Sequence, residues 1–400
     1  MMNKPSRRAF AAACSVFWSA AALAQPAAPA EVAEAVSAPA AARVARDLHE
    51  EVQFISVTVK DLYSRTETKQ IPVVIFRPDG AGPFPLVIMN HGRAPSERRA
   101  TQGRQRFEPF SRYMVSKGFV VLVPTRVGYA DTYGDFDPES TGSCGAMRLE
   151  PQAEAASDQV LATLAFAKTL PYVDASRWIV AGQSVGGLTS IATTWRHPDG
   201  LVGAINFAGG TGGDPDHSPG RPCNPQRVES LWGSKAAEST APMLWFYWEN
   251  DEFWGPDVPK RWAQAWIKGG GQAEFHQLAP AGKTGHGAMA FDMDHWVPYA
   301  EPFLARLGFA KPGVIPRPAP SAFAKVDEAD KVPIPAAQRE EGYRHFLGDK
   351  LPRAFAIGAD GATGWASGDW AMGRALGNCQ ARRGAPCKLY AVDNDVVWSP

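Results

Sequence analysis

Apolar positions along this chain follow two rhythms, and their alternation predicts its architecture. From Val52 to Val59 apolar and polar side chains alternate, most cleanly over Ile55-Ser56-Val57-Thr58-Val59. That period of two marks a half-buried strand. Ile71 to Phe76, running into the turn residues Pro78-Asp79-Gly80, gives a second strand, and the pair predicts an antiparallel start to a sheet. Thereafter short apolar runs predict buried strands at Leu86–Met89, Phe119–Val123, Trp178–Ala181, Leu201–Phe207 and Met243–Trp248, and Ala273–Leu278 is read as a further strand. Helix-compatible stretches separate them at Phe107–Lys117, Pro151–Leu170, Gly187–Trp195, Val258–Lys268 and Trp296–Leu307. Buried strands spaced by helices call for a mostly parallel sheet covered on both faces. The predicted fold class is α/β, with one large sandwich over residues 52–310.

Beyond it the pattern changes. Residues 311–335 are rich in Pro, Ala and charge and read as a semi-rigid linker. Residues 336–400 predict a small α+β module: strands at Arg353–Gly358, Gly364–Ser367, Leu389–Val392 and Val396–Trp398, with a helix over Trp370–Cys379. So short a module buries little apolar surface and needs a covalent staple. At the other end, Lys4, Arg7 and Arg8 precede an Ala-rich apolar stretch that closes on Ala22-Leu23-Ala24. This is the layout of a secretory signal peptide over residues 1–24, not of a membrane anchor. Ser6-Arg7-Arg8-Ala9-Phe10 also resembles a twin-arginine export signal. Residues 25–51 are expected to be a disordered leader.

The chain of 400 residues carries 41 basic and 41 acidic side chains and is 45% apolar. A net charge of zero gives no reason to expect nucleic acid or an anionic membrane as partner. Stable membrane insertion is not expected either, and the location implied is periplasmic or secreted. Of the five cysteines, Cys14 leaves with the signal, so Cys144, Cys223, Cys379 and Cys387 remain. An even count in an exported chain favours two disulfides. Cys379 with Cys387 is the short loop, and Cys144 with Cys223 follows by elimination. No Cys or His spacing predicts a metal site, and no cofactor is expected.

The chemistry lies at the ends of the predicted strands. Gly182-Gln183-Ser184-Val185-Gly186 stands between the apolar run Trp178–Ala181 and a helix, the context of a nucleophile elbow, in which a serine on a strained turn needs neighbours without Cβ atoms. A serine hydroxyl is a weak nucleophile, so it needs an imidazole to take its proton and an acid to orient that imidazole. In such a sheet the partners follow in the order serine, acid, histidine, on loops at the carboxyl ends of strands. Asp251, where Met243–Trp248 stops, and His286, in the Gly-flanked loop after Ala273–Leu278, fit those roles. Glu249 and Asp257 are rival acids, the latter placed as a helix cap. His295, His276 and His197 are rival bases, at a helix start, within a strand and at a helix end. The turn Asn90-His91-Gly92-Arg93 after the Leu86–Met89 strand predicts an oxyanion hole built from backbone amides, Arg93 together with Val185. The Arg93 side chain is read either as a carboxylate attractor or as a solvated surface arginine. Two long loops, residues 126–148 with Cys144 and 209–227 with Cys223, are expected to form a bridged rim over this face.

Together, Asn90-His91-Gly92, Gly182–Gly187, Glu249-Asn250-Asp251 and Gly285-His286-Gly287 resemble the α/β-hydrolase superfamily, nearest its dienelactone hydrolase-like and prolyl-oligopeptidase-like branch. The likeness covers roughly Val52 to Leu307 and departs from dienelactone hydrolase in having Ser184 where that enzyme has a cysteine. What the resemblance implies is an exported serine hydrolase that cleaves a small-molecule ester through an acyl-enzyme. The alternatives are a peptidase or amidase of the prolyl-oligopeptidase type, without that family's propeller, and a non-catalytic envelope binding protein. The C-terminal module is expected to take no part in catalysis.

Overall fold

A computed structural model describes residues 45–314, 317–359, 361–368, 371–383 and 387–399. The expected signal peptide, its twin-arginine motif and most of the leader lie outside the described residues.

Strands β1 (Glu51–Lys60) and β2 (Thr66–Phe76) pair antiparallel, with Ile55 opposite Ile71. β3 (Phe84–Asn90), β4 (Val120–Pro124), β5 (Val173–Gln183), β6 (Leu201–Phe207), β7 (Met243–Trp248) and β8 (Ala273–Leu278) complete an eight-stranded sheet. Its order is β1-β2-β4-β3-β5-β6-β7-β8, parallel from β4 to β8. Around it run α1 (Ser96–Arg99), α2 (Glu108–Ser116), α3 (Leu149–Ala167), α4 (Val185–Thr194), α5 (Pro225–Lys235), α6 (Val258–Lys268) and α7 (Met293–Arg306).

Strand pleating sorts the core into two layers. Leu86 and Ile88 of β3 join one cluster with α3, α4, α5 and α6, to which Leu188, Trp232 and Trp262 belong. Val87 and Met89 join the other with α2 and α7, around Phe110 and Trp296. Successive side chains of a strand point to opposite faces, and burial on both explains why these strands read as unbroken apolar runs.

α5 was not predicted, because only Val228 and Trp232 of its Pro-Gln-Arg-Val-Glu-Ser-Leu-Trp-Gly-Ser-Lys sequence are buried. With Leu231, packed partly buried against the same core, they stand at i, i+3 and i+4, but one such set between Pro225 and Gly233 is too short a periodic stretch to read as a helix. The loop expected over residues 209–227 therefore ends in the first turn of α5.

The C-terminal part holds α8 (Ala336–Gln338), a π-helical turn (Arg339–Tyr343), α9 (Arg344–Gly348), β9 (Arg353–Gly358), β10 (Thr363–Ser367), α10 (Ala371–Arg383), β11 (Cys387–Val392) and β12 (Asp395–Val396). Its sheet is antiparallel in the order β10-β9-β11-β12. Residues read as a linker are held at both ends. Lys117 donates to the Lys311 carbonyl at 2.6 Å, and the amide of Gly313 donates to Glu301 at 2.9 Å. Further on, Val332 and Ile334 pack into the module's core with Tyr343, Phe355 and Tyr390. Cys144 bonds Cys223 and Cys379 bonds Cys387, with Cα separations of 5.6 and 6.3 Å. Among the described residues no helix is long and apolar enough to cross a membrane.

Candidate active site

Ser184 occupies the apex between β5 and α4 with φ 59° and ψ −125°, a backbone conformation that side chains other than glycine rarely adopt. The two flanking glycines explain how the chain tolerates it. A Cβ on Gly182 would lie 2.0 Å from the Gly186 carbonyl oxygen, and one on Gly186 would lie 2.1 Å from that of Asn90. The elbow is thus pressed against the end of β3, and the Ser184 amide donates to the Phe207 carbonyl of β6 at 3.0 Å.

Asp251 and His286 come together from the loops after β7 and β8. His286 Nδ1 lies 2.9 Å from Asp251 Oδ2 and 3.1 Å from Oδ1, with the Asp251 side chain wholly buried. Asp251 Oδ1 also accepts from the amides of Phe253 and Trp254 at 2.8 and 3.3 Å. A carboxylate only accepts, so Nδ1–H is the donor to Asp251, and in the neutral imidazole the lone pair then falls on Nε2. Phe253 lies flat on the imidazole, centroids 3.8 Å apart and planes at 18°, and Trp254 meets it edge-on at 5.4 Å. Gln183, beside the serine, donates to the His286 carbonyl at 2.8 Å. Neither aromatic, nor Gln183, stood out in the sequence. Their adjacency to Asp251 and Ser184 was the available signal.

The same open cavity, of about 550 Å³, is lined by Ser184, His286, Gly92, Arg93, Phe107 and Phe253 among others. Val185 is buried and does not line it. No hydrogen bond joins the Ser184 hydroxyl to His286 among the described residues, and such bonds often tighten only around a substrate.

The turn after β3 is fixed from beneath. His91 accepts from the Arg126 amide through Nε2 at 2.9 Å, and its Nδ1–H donates to the Gly92 carbonyl at 2.7 Å. Burial, with the Arg126 charge nearby, holds this imidazole well below the usual histidine range, which keeps it neutral. The Tyr129 hydroxyl donates to the same carbonyl at 3.2 Å. In a trans peptide the carbonyl and the following N–H point opposite ways. With the Gly92 oxygen held on one side, the Arg93 amide faces the other.

The Arg93 side chain is not the solvated surface arginine of one of its two readings. It makes a two-pronged ion pair with Asp137 in the 126–148 loop, which also receives Arg99 at 3.1 Å. Burial alone would raise the Asp137 carboxyl, but Arg93 and Arg99 hold it below the usual range. The long loop is anchored again by Arg126 and Glu139, both fully buried, with Nε 2.5 Å from Oε1.

The rival residues sit elsewhere. Glu249 is exposed, and Asp257 makes no capping bond but lies exposed, 3.6 Å from Lys260. His295 pairs with Asp292, His276 packs on Tyr299 with centroids 4.1 Å apart, and His197 is exposed past α4. Among the described residues no group of three or more His, Cys, Asp or Glu side chains is placed to hold a metal ion.

The sheet order, its antiparallel edge and its helices on both faces are those of the α/β-hydrolase fold. Within that fold the chain belongs to the dienelactone hydrolase family, whose sequence profile matches residues 71–287, more than half its length. The match opens on Ile71 in β2 and closes just past His286. No curated protein matches the sequence. Among solved structures, acylaminoacyl peptidase from Pyrococcus horikoshii is 16% identical with a TM-score of 0.44, over 66% of this chain and 42% of that one. A puromycin-hydrolyzing peptidase from Mycobacterium tuberculosis is 17% identical with a TM-score of 0.41, over 64% and 39%. Esterase 2 from Thermogutta terrifontis is 16% identical with a TM-score of 0.41, over 66% and 96%. The chain thus spans about two fifths of the length of the acylaminoacyl peptidase it matches.

Proposed function

We propose that the protein is a serine hydrolase of carboxylic esters, with Ser184 as nucleophile, His286 as base and Asp251 as the acid that orients it. The observation that carries this reading is the His286–Asp251 pair opening onto the same cavity as a serine at positive φ. Ser184 Oγ attacks the ester carbon as its proton passes to His286 Nε2. The amides of Arg93 and Val185 receive the oxyanion, as the fixed orientation of the Gly92 carbonyl supports. Collapse of the tetrahedral intermediate breaks the bond to the alkoxy oxygen, which takes the proton from His286 and leaves as the alcohol. Water then attacks the acyl-enzyme by the same route, releasing the acid and restoring Ser184. The reading requires no cofactor or metal, and the substrate is a small molecule. The two disulfides support an oxidising compartment, periplasmic or external.

The test is a fluorophosphonate probe followed by peptide mass spectrometry, alongside a screen of aryl esters of graded acyl length and peptide amides. The adduct is expected on Ser184 and turnover on the esters. Labelling that survives Ser184→Ala, or turnover confined to amides, overturns the reading.

A further inference from the structure

Helix α10 of the C-terminal module bonds to the chain just after the candidate base and approaches it just before. The Gly373 amide, in its first turn, donates to Asp294 Oδ2 at 2.9 Å in a buried bond. The first amides of a helix have no partner within it, so a carboxylate there is a cap supplied from outside. The approach depends on glycine: a Cβ at position 373 would lie 2.6 Å from Asp294 Oδ2 and 3.0 Å from the Phe291 carbonyl oxygen. One turn later on the same face, a Cβ on Gly377 would come within 3.9 Å of the Gly282 amide. Gly282 precedes His286 by four residues, and Phe291 and Asp294 follow it closely.

The same segment is also held by the end of the strand that leads to the acid. Asn250, next to Asp251, donates to the carbonyls of Ala281 and Gly282 at 3.2 and 3.1 Å and accepts from the Ala281 amide at 3.0 Å. Trp248 Nε1 donates to Asp292 at 2.6 Å. The stretch 281–294 is therefore tied both to the end of β7 and to α10. Its middle, Gly285–Ala290, is a 3-10 helix that bears His286. A short 3-10 element has poorer internal hydrogen bonds than an α-helix and relies on its flanks.

We propose that α10 is a brace that holds the His286 segment in register with Ser184, and that Asp294 is the positioning residue that latches the brace at Gly373. This goes beyond the Ser184–His286–Asp251 reading and rests on it. The module then serves the site without touching substrate.

The test uses the full chain and three variants, Asp294→Ala, Asp294→Asn and Gly373→Ala, each checked for folding by circular dichroism. The readouts are kcat and KM on an aryl ester and the rate of fluorophosphonate labelling at Ser184. Displacing a base by a fraction of an ångström to an ångström costs on the order of ten- to a hundredfold in rate. Asp294→Ala and Gly373→Ala are expected to lose about that much in kcat and in labelling rate with KM little changed. Asp294→Asn, whose amide oxygen still accepts from Gly373, is expected to keep most of both. A folded Gly373→Ala with wild-type kcat and labelling rate overturns the brace, even if Asp294→Ala fails to fold. Failure of the underlying reading shows up separately, as a wild-type protein that does not label at Ser184.

Discussion

Phe253 lies against His286 with ring centroids 3.8 Å apart and planes at 18°, so the imidazole is fixed by a face as well as by the carboxylate of Asp251. An aromatic contact of this kind is worth about 0.5–1.5 kcal/mol beyond the area it buries. Phe253→Ala should therefore lower kcat on an ester by about two- to tenfold. Because Phe253 also lines the cavity, KM should move with it. A steady-state titration that finds kcat unchanged would mean that Asp251 orients the ring unaided.

The acid and the base should act as one unit. His286→Ala and Asp251→Asn are each expected to lower turnover by several powers of ten, and the double variant by little more. Asp251 also accepts from the amides of Phe253 and Trp254, so Asp251→Asn tests the carboxylate with the loop largely preserved. Glu249→Gln, at an exposed position, should leave turnover intact.

Most of the sheet could be read from the chain because a strand buried on both faces leaves an unbroken apolar run. Ser184 and Asp251 were nameable as candidates because each stands three residues past such a run, and His286 because it lies on the Gly-flanked loop after the next strand; strand ends of one parallel sheet share an edge. What could not be read depends on where loops travel. Nothing local to Asp137 points to Arg93, 44 residues earlier. Gly373 and Asp294 are 79 residues apart, and a glycine in a short helix reads as weak helix propensity rather than as a docking face. α5 escaped because its apolar positions, Val228, Leu231 and Trp232, span little more than one turn of its eleven residues.

Asp294 should leave a mark on stability against pH. Burial raises its carboxyl to about 6, the Gly373 amide opposes this, Asp292 adds to it, and His295 and Arg374 oppose it. The folded state thus holds this proton more tightly than the unfolded chain, where an aspartate titrates near about 4. Its contribution is fully favourable below about 4 and is lost as pH rises through about 6. Asp294→Asn removes that loss while keeping an acceptor for Gly373. Its stability relative to wild type should be greater at about pH 7.5 than at about pH 5 in urea titrations, and a constant difference would count against the assignment. Asp292, also raised by burial, should leave a residual slope in the variant.

The Cys144–Cys223 bridge closes 79 residues and ties the 126–148 loop to the approach to α5. Loop-closure entropy for a span of that size amounts to about 4.5 kcal/mol of stability. A Cys144→Ser, Cys223→Ser double variant should lose a measurable part of this in denaturant titration. The Arg126–Glu139 and Arg93–Asp137 pairs still hold the loop, so ester turnover should fall much less than stability. A collapse of turnover at full folding would place the bridge in the site's own geometry.

The Arg126–Glu139 pair offers the sharpest test of how the proposed oxyanion turn is supported. Both side chains are fully buried, and the Arg126 backbone is the donor to His91, which in turn fixes the Gly92 carbonyl. Removing one partner strands a charge in a low-dielectric interior, at a cost of about 3–5 kcal/mol. Arg126→Met should therefore destabilise the fold by that order, since Glu139 is left unpaired. Glu139→Gln should do so as well, leaving the guanidinium without its counter-charge. Replacing both at once, Arg126→Met with Glu139→Leu, removes both charges and should recover much of the loss. The readout is a double-mutant cycle in urea, with ester turnover measured alongside. If the single losses add in the double variant, the two side chains are not coupled, and the turn must be held by His91 and Tyr129 without help from this pair.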